Sequence, residues 1–378
     1  MAFSAVGGAW HGEAMITRAQ VLAYRAAVGG LSAPGSVLVS GVQDHPTGVT
    51  ARLATALRRA GPDAAAGVLV HSARAATHLH EPSDLGLLAA ALRIDDGADL
   101  ARQAIGPFGA EIGAAFGASL DSVAAVMREV MADGTPRTKG ELSGAASPRV
   151  SARLAPWCRG CGVHHVQDAL FRYATLQAGL VIEVESPKLF RFVRSPGAAA
   201  APVSPDEARA ELVRRFVHAA GPVRPAHLAT WLSLTPAAAK RWWALAAGDL
   251  ADVEVDGRGG FVLAADVPLF EDPPAPDELR LLGPYDPLTE LADREFLLPD
   301  AGQRRQVWAA SANPGIVLWD GEIAGTWRRR RERGRLILTA TAFGALPPGW
   351  TETESARADA DVIRRSFGGE EVRIETTG

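Results

Sequence analysis

Residues 204–263 read SPDEARAELVRRFVHAAGPVRPAHLATWLSLTPAAAKRWWALAAGDLADVEVDGRGGFVL. Ser204 with Glu207 three positions later is a capping-box start, and apolar residues then recur at helical spacing as far as Ala220. Gly221-Pro222 stops that helix. The spacing predicts a second helix over Pro225 to Leu232, and Thr235-Pro236 opens a third that runs to about Ala247. From Val253 to Leu263 the chain alternates around Asp256-Gly257, a dipeptide that supplies the positive φ angles of a tight hairpin turn. Three helices followed by a hairpin make a winged helix.

The same plan extends upstream. Leu120 to Met131 and a short helix opened by Thr138 flank the turn Asp133-Gly134-Thr135-Pro136. A helix over Gln167 to Ala178 then leads into strands Leu180 to Glu185 and Leu189 to Val193. Further upstream, Thr17 caps a helix to Ala27, and Thr50 to Ala60 and Pro82 to Leu92 have helical spacing. Gly67 to His71 and Ala75 to His80 read as paired strands. Past the Pro/Asp-rich linker 271–278, strands dominate: Leu279 to Leu282, Gly315 to Trp319, Glu322 to Trp327 and Leu336 to Thr341, with a late helix from Ser355 to Phe367. The expected architecture is α+β, with tandem winged-helix domains followed by a C-terminal β-barrel. Its expected divisions are a flexible leader 1–15, winged-helix units at 16–115, 116–200 and 201–270, and the barrel domain 271–378.

Composition bounds the function. A chain of 378 residues exceeds what one growing core normally serves, and 47% hydrophobic with 22% charged residues is ordinary for a folded domain protein. The net charge of −4 means that any nucleic-acid surface must come from local clustering. Only Lys139, Lys188 and Lys240 are lysines; the other basic residues are arginines. Two cysteines exclude a disulfide scaffold and fit a reducing cytoplasm, and neither a signal peptide nor a membrane span is legible.

Several segments carry chemistry. The third helix of the quoted stretch places Lys240 and Arg241 beside Trp242 and Trp243. In a winged helix such a helix enters the major groove, while the blander reading makes the tryptophans core and the basic pair a solvated face. Arg328, Arg329, Arg330 and Arg331, with Arg333 and Arg335, form the densest charge in the chain. They lie between two strands, so they are expected near a hairpin tip that can reach DNA phosphates. Cys158-Arg-Gly-Cys161, followed by His164 and His165, has donor types that suit zinc, but the Cys-to-His spacing is too short for a zinc finger and no second pair exists; packing is the preferred reading and no metal is expected. His71, His78 and His80 cluster on the first hairpin without a carboxylate partner that spacing can assign. Gln43-Asp44-His45-Pro46 is a polar loop between an apolar segment and a helix, a place for chemistry or for a helix cap.

Together these pieces resemble the AlkZ-like and YcaQ-like winged-helix DNA glycosylases. The resemblance runs from about Ile16 to the C-terminus. It rests on Val42-Gln-Asp-His-Pro-Thr-Gly48, Trp157-Cys-Arg-Gly-Cys-Gly-Val-His-His-Val166, Asp168-Ala-Leu-Phe-Arg172, Leu281-Leu-Gly-Pro-Tyr-Asp286, and Asn313-Pro-Gly315 through Gly325-Thr-Trp-Arg328. It implies monofunctional hydrolysis of the N-glycosidic bond of cationic N7-alkylpurines, including bulky adducts and crosslinks, in DNA repair or genotoxin self-resistance. No cofactor is implied, and the partner is double-stranded DNA with alkylated bases, bound by a monomer. The family signature is Gln, an apolar residue, then Gln or Asp. Gln43 matches its second polar position and Val42 its apolar one, while Gly41 departs from the first. Gln43 is thus expected to hold the attacking water and Asp44 to stabilise positive charge on the sugar, in a cleft lined by Val42, His45, His164 and His165. The alternative reading is a DNA-binding protein without catalysis, for which Gly41 is the motive.

Overall fold

The computed structural model describes residues 15–33, 35–58, 67–186, 188–195, 203–276 and 278–377. The expected leader lies outside these residues except for Met15, which pairs with Glu254 in a short parallel strand Met15–Ile16 beside Leu250–Val255. Three helices begin as their sequences demand. Thr17 with Gln20, Thr138 with Glu141 and Ser204 with Glu207 all form complete capping boxes, opening Arg18–Val28, Lys139–Ala146 and Pro205–Ala220.

In the stretch that opened the sequence reading, helices Pro205–Ala220, Pro225–Leu232 and Pro236–Leu245 precede an antiparallel hairpin, Leu250–Val255 with Arg258–Leu263. Its turn has φ 47° at Asp256 and 77° at Gly257, both positive as a two-residue hairpin loop requires. Trp242 and Trp243 are buried, so they are core and leave Lys240 and Arg241 on the exposed side of the helix.

A five-stranded sheet joins the two upstream stretches, in the order Val42–Gln43, Thr77–His80, Val68–His71, Leu180–Ser186, Leu189–Arg194. One hydrophobic core runs beneath it and into the third stretch, from Leu38 to Leu263. The segments expected as separate units therefore share their interior.

The C-terminal strands correct the expected barrel. They form an open sheet in the order Arg280–Leu282, Gly315–Trp319, Glu322–Glu332, Arg335–Ala342, Val372–Thr377, with the last pair parallel. The physical reason is what lies on its face. Helix Glu354–Phe367 provides the crossover to the last strand and buries Ala356, Ala360 and Ile363 against Leu281, Val317, Leu336 and Leu338. Leu53 and Leu57, from helix Thr50–Leu57, join the same core. Helices cover the apolar side that a barrel would have enclosed. Trp327 locks the sheet by donating from Nε1 to the Leu282 carbonyl at 2.9 Å, and a Cβ on Gly315 would lie 2.1 Å from its ring.

Two buried ion pairs tie the N-terminal helices to this sheet. Arg58 grips both carboxylate oxygens of fully buried Asp286 at 2.7 and 2.8 Å, and Arg25 pairs with Asp293 at 2.7 Å. Such pairs stabilise only where every donor and acceptor is matched, and the bidentate Arg58 fork meets that condition. Among the described residues no helix is long and apolar enough to cross a membrane.

Candidate active site

The strand Val42–Gln43 sets the geometry. Successive strand residues face opposite sides. Val42 is fully buried in the core, which corrects its expected place in a cleft wall, and Gln43 faces the other way. There it borders an open cleft of about 690 Å³, solvent at its mouth included. Arg74 and His78 stand beside Gln43. Phe216, His227, Trp231, Glu290 and Asp293 also line it. Phe216 and Trp231 stack with centroids 4.9 Å apart and planes 16° from parallel; Phe216 is buried in the core, and Trp231 is the partly exposed ring of the pair.

The polar groups of the cleft hold one another in place. Arg74, itself at a positive φ of 58°, donates to the Trp231 carbonyl at 2.6 Å and to Gln43 Oε1. That contact fixes the Gln43 amide and leaves its oxygen a second lone pair and its Nε2 without a protein partner among the described residues. His78 lies opposite Gln43 in the strand register and is buried, and its Nδ1 donates to the Ala76 carbonyl at 3.0 Å. Burial pushes its pKa down to about 3, so the ring is neutral and its Nε2 is an acceptor. Glu290 is mostly buried, and that burial raises its carboxyl above the usual range, while the nearby Arg74 and Arg294 guanidinium groups work to keep it ionised. Asp293 carries a buried oxygen, Oδ1, with no hydrogen-bond partner among the described residues.

Several expected site residues lie elsewhere. Asp44 is buried, and its carboxylate accepts from the Ala51 N–H at 3.0 Å, from the Thr50 hydroxyl at 3.3 Å and from the Gly48 N–H. It organises the start of helix Thr50–Leu57 and does not line the cleft, so the capping alternative describes it. Exposed His45 meets Tyr285 edge-on at 5.2 Å, outside the cleft. His164 and His165 belong to a separate small hairpin, Trp157–Cys158 with Val163–His164 and the residue after it, and do not reach Gln43. The carboxylates facing the cleft are Glu290 and Asp293. Sequence reading missed them because they follow Pro287 in a segment without helix or strand periodicity, and they meet residue 43 only through the tertiary fold.

A second cleft of about 970 Å³ shares His227, Ala292 and Asp293 with the first and is lined by Arg224, Arg258 and Arg294. Arg258 begins the second strand of the hairpin that follows the quoted helices. The arginine-rich strand lies apart from both clefts. Arg328 to Arg331 sit along the exposed outer part of Glu322–Glu332, with Arg333 at the turn, so the cluster includes the hairpin tip and extends along the strand below it. Arg330 is neutralised by Glu332 and Glu375, and Arg329 stacks 4.0 Å over Phe367. Arg328, Arg329, Arg331 and Arg333 have no carboxylate partner among the described residues. Arg241 is tethered to Asp99 at 2.5 Å, and its neighbour Lys240 is exposed.

Comparison with known proteins gives two matches. A family model described as DNA glycosylase AlkZ-like matches residues 37–364. The solved structure of Streptomyces sahachiroi DNA glycosylase AlkZ is similar with a TM-score of 0.72 and 21% identity, over 96% of this chain and 100% of that one; at that identity the likeness is one of fold. No curated protein matches.

Proposed function

The chain belongs to the AlkZ-like family of DNA glycosylases, and from that premise we propose that it hydrolyses the N-glycosidic bond of bulky, cationic N7-alkylguanines in duplex DNA. The observation that carries this reading is Gln43, held by Arg74 in a cleft that Trp231, Glu290 and Asp293 also line. The helix-and-hairpin segments act as winged-helix modules that seat the duplex, with Lys240, the unpaired arginines at 328–333 and the arginines of the second cleft along its phosphates.

Alkylation at N7 places a positive charge on the base, which then departs as a neutral molecule. No strong general acid is needed. The chain must hold a water against the sugar and stabilise an oxocarbenium-like transition state. Gln43 takes the water through the free lone pair of its oxygen, and the neutral His78 ring offers a second acceptor. Glu290 replaces Asp44 as the carboxylate that faces the developing positive charge. An open cleft spares a bulky adduct from extrusion into a tight pocket.

The test is incubation with duplex DNA carrying small, bulky and crosslinked N7-alkylguanines. Release of the free base is expected. Gln43→Ala should lower the rate by about 10²–10³, the scale of losing one positioned polar group, while DNA affinity holds. Binding with no release across the panel would favour the reading without catalysis, which finds support in the contact that Arg74 already makes with the Gln43 oxygen.

A further inference from the structure

The short hairpin Trp157–Cys158 with Val163–His164 has little to hold it together. Each strand contributes two residues, and Trp157 and Val163 are 56% and 51% exposed, so it has no apolar core of its own. Its turn brings the two free cysteines together. The Gly162 N–H donates to the Cys158 carbonyl at 2.9 Å, Gly162 takes a positive φ of 67°, and the backbone N–H groups of Gly160 and Cys161 face the Cys158 sulfur. His165, next in sequence after the second strand, folds back toward them. One donor atom from each of Cys158, Cys161 and His165 lies within 4.8 Å of the others. The spacing that spoke against a zinc finger in the sequence is bridged by the hairpin itself.

We infer that Cys158, Cys161 and His165 bind a single zinc ion that staples this hairpin to the start of helix Asp168–Gln177, with the fourth position open to solvent. Two thiolates and an imidazole are the donors zinc prefers, and the edge of a tetrahedral zinc–sulfur site, about 3.7 Å, falls within the 4.8 Å that encloses the three donor atoms. His165 is already oriented for it. Its Nδ1 donates to the Val166 carbonyl at 2.8 Å, which fixes the tautomer and leaves Nε2 as the ligating nitrogen. His164 donates from Nδ1 to the Ala155 carbonyl at 3.1 Å and packs edge-on against Trp157, outside the donor cluster. Binding releases the thiol protons to solvent and involves no change of oxidation state. The inference does not depend on the glycosylase reading.

Elemental analysis of the full-length protein, expressed with zinc and purified without chelator, should find one zinc per chain. Both thiols should be protected from a thiol reagent until a strong chelator is added. Cobalt substitution should give the thiolate-to-metal charge-transfer band and the intense visible bands of a tetrahedral site. Cys158→Ser and His165→Ala should each lose stoichiometric metal, while His164→Ala keeps it, with circular dichroism confirming the fold. A wild-type chain that takes up neither zinc nor cobalt, whether its thiols are freely reactive or joined as a disulfide, would overturn the inference. So would a chain in which His164→Ala loses the metal and His165→Ala retains it.

Discussion

The His80 ring occupies the space that any side chain at Gly41 would need. A Cβ built on Gly41 would lie 2.1 Å from His80 Cε1, and Gly41 sits at a φ of 79°, where L residues are strained. His80 is buried and its Nε2 lies 2.8 Å from the Ser72 hydroxyl, so the ring cannot swing aside freely. A glycine at position 41 is therefore built into the sheet behind the cleft.

Placing a glutamine at position 41 should fail for that reason. Gly41→Gln should destabilise the protein by at least the ~1–3 kcal/mol of an overpacked, strained core position and should not raise the rate of base release. Denaturant unfolding and a glycosylase assay on the same preparation check both halves. A stable, faster Gly41→Gln enzyme would contradict the close approach of His80.

Glu290 gives the reaction a pH dependence of definite sign. Burial raises its carboxyl, so the proton is held to a higher pH than on an exposed glutamate. If its ionised form stabilises the sugar cation, the rate falls on acidification with a midpoint above the ordinary glutamate value of about 4.3. Glu290→Gln should remove that limb of the rate profile. The same substitution should raise the melting temperature at neutral pH, because the folded state no longer carries a carboxylate that it desolvates; the native acid binds its proton more tightly than the unfolded one, so stability declines as pH rises through that window.

His71, His78 and His80 have the opposite effect on stability. Burial lowers all three, His71 and His78 to about 3. The unfolded chain takes up protons near pH 6.5 while the folded chain does not, so stability falls as pH drops below about 6.5. Each histidine contributes up to about 1.4 kcal/mol per pH unit to that loss. Urea titrations at pH 7 and pH 5 measure it, and His71→Gln should flatten the slope if its partner Thr175, 2.9 Å away, accepts the amide.

The unpaired arginines of the long strand should report on phosphate contacts. Arg328→Ala, Arg331→Ala and Arg333→Ala are each expected to weaken duplex binding without regard to sequence and to reduce the slope of log affinity against log salt by about 1. Arg330→Ala, already neutralised by Glu332 and Glu375, should change it less. Fluorescence anisotropy over a salt series distinguishes these outcomes.

Local signals were legible before the fold was known. Capping boxes at Thr17, Thr138 and Ser204 and the Asp256-Gly257 turn act within a few residues, and the structure has them where the sequence puts them. Gln43 was legible as the first residue of a polar loop between an apolar segment and a helix. The rest depended on contacts that spacing does not encode. Asp44 looked like site chemistry because a buried cap and a reactive carboxylate have the same composition. The open C-terminal sheet was hidden because its last strand, Val372–Thr377, is polar and short and returns parallel through a helix. Glu290 could not be nominated without knowing that its segment folds back on the first sheet.

Arg25 and Asp293 are 268 positions apart, and the Arg58–Asp286 pair spans 228. These two clamps flank the 287–293 segment that lines the cleft with Gln43. In a chain emerging from the ribosome the cleft beside Gln43 therefore closes only after the 286–293 segment has been made and has docked. A copy lacking the 286–293 segment would lack both carboxylates that line the cleft with Gln43, together with the partners of Arg58 and Arg25.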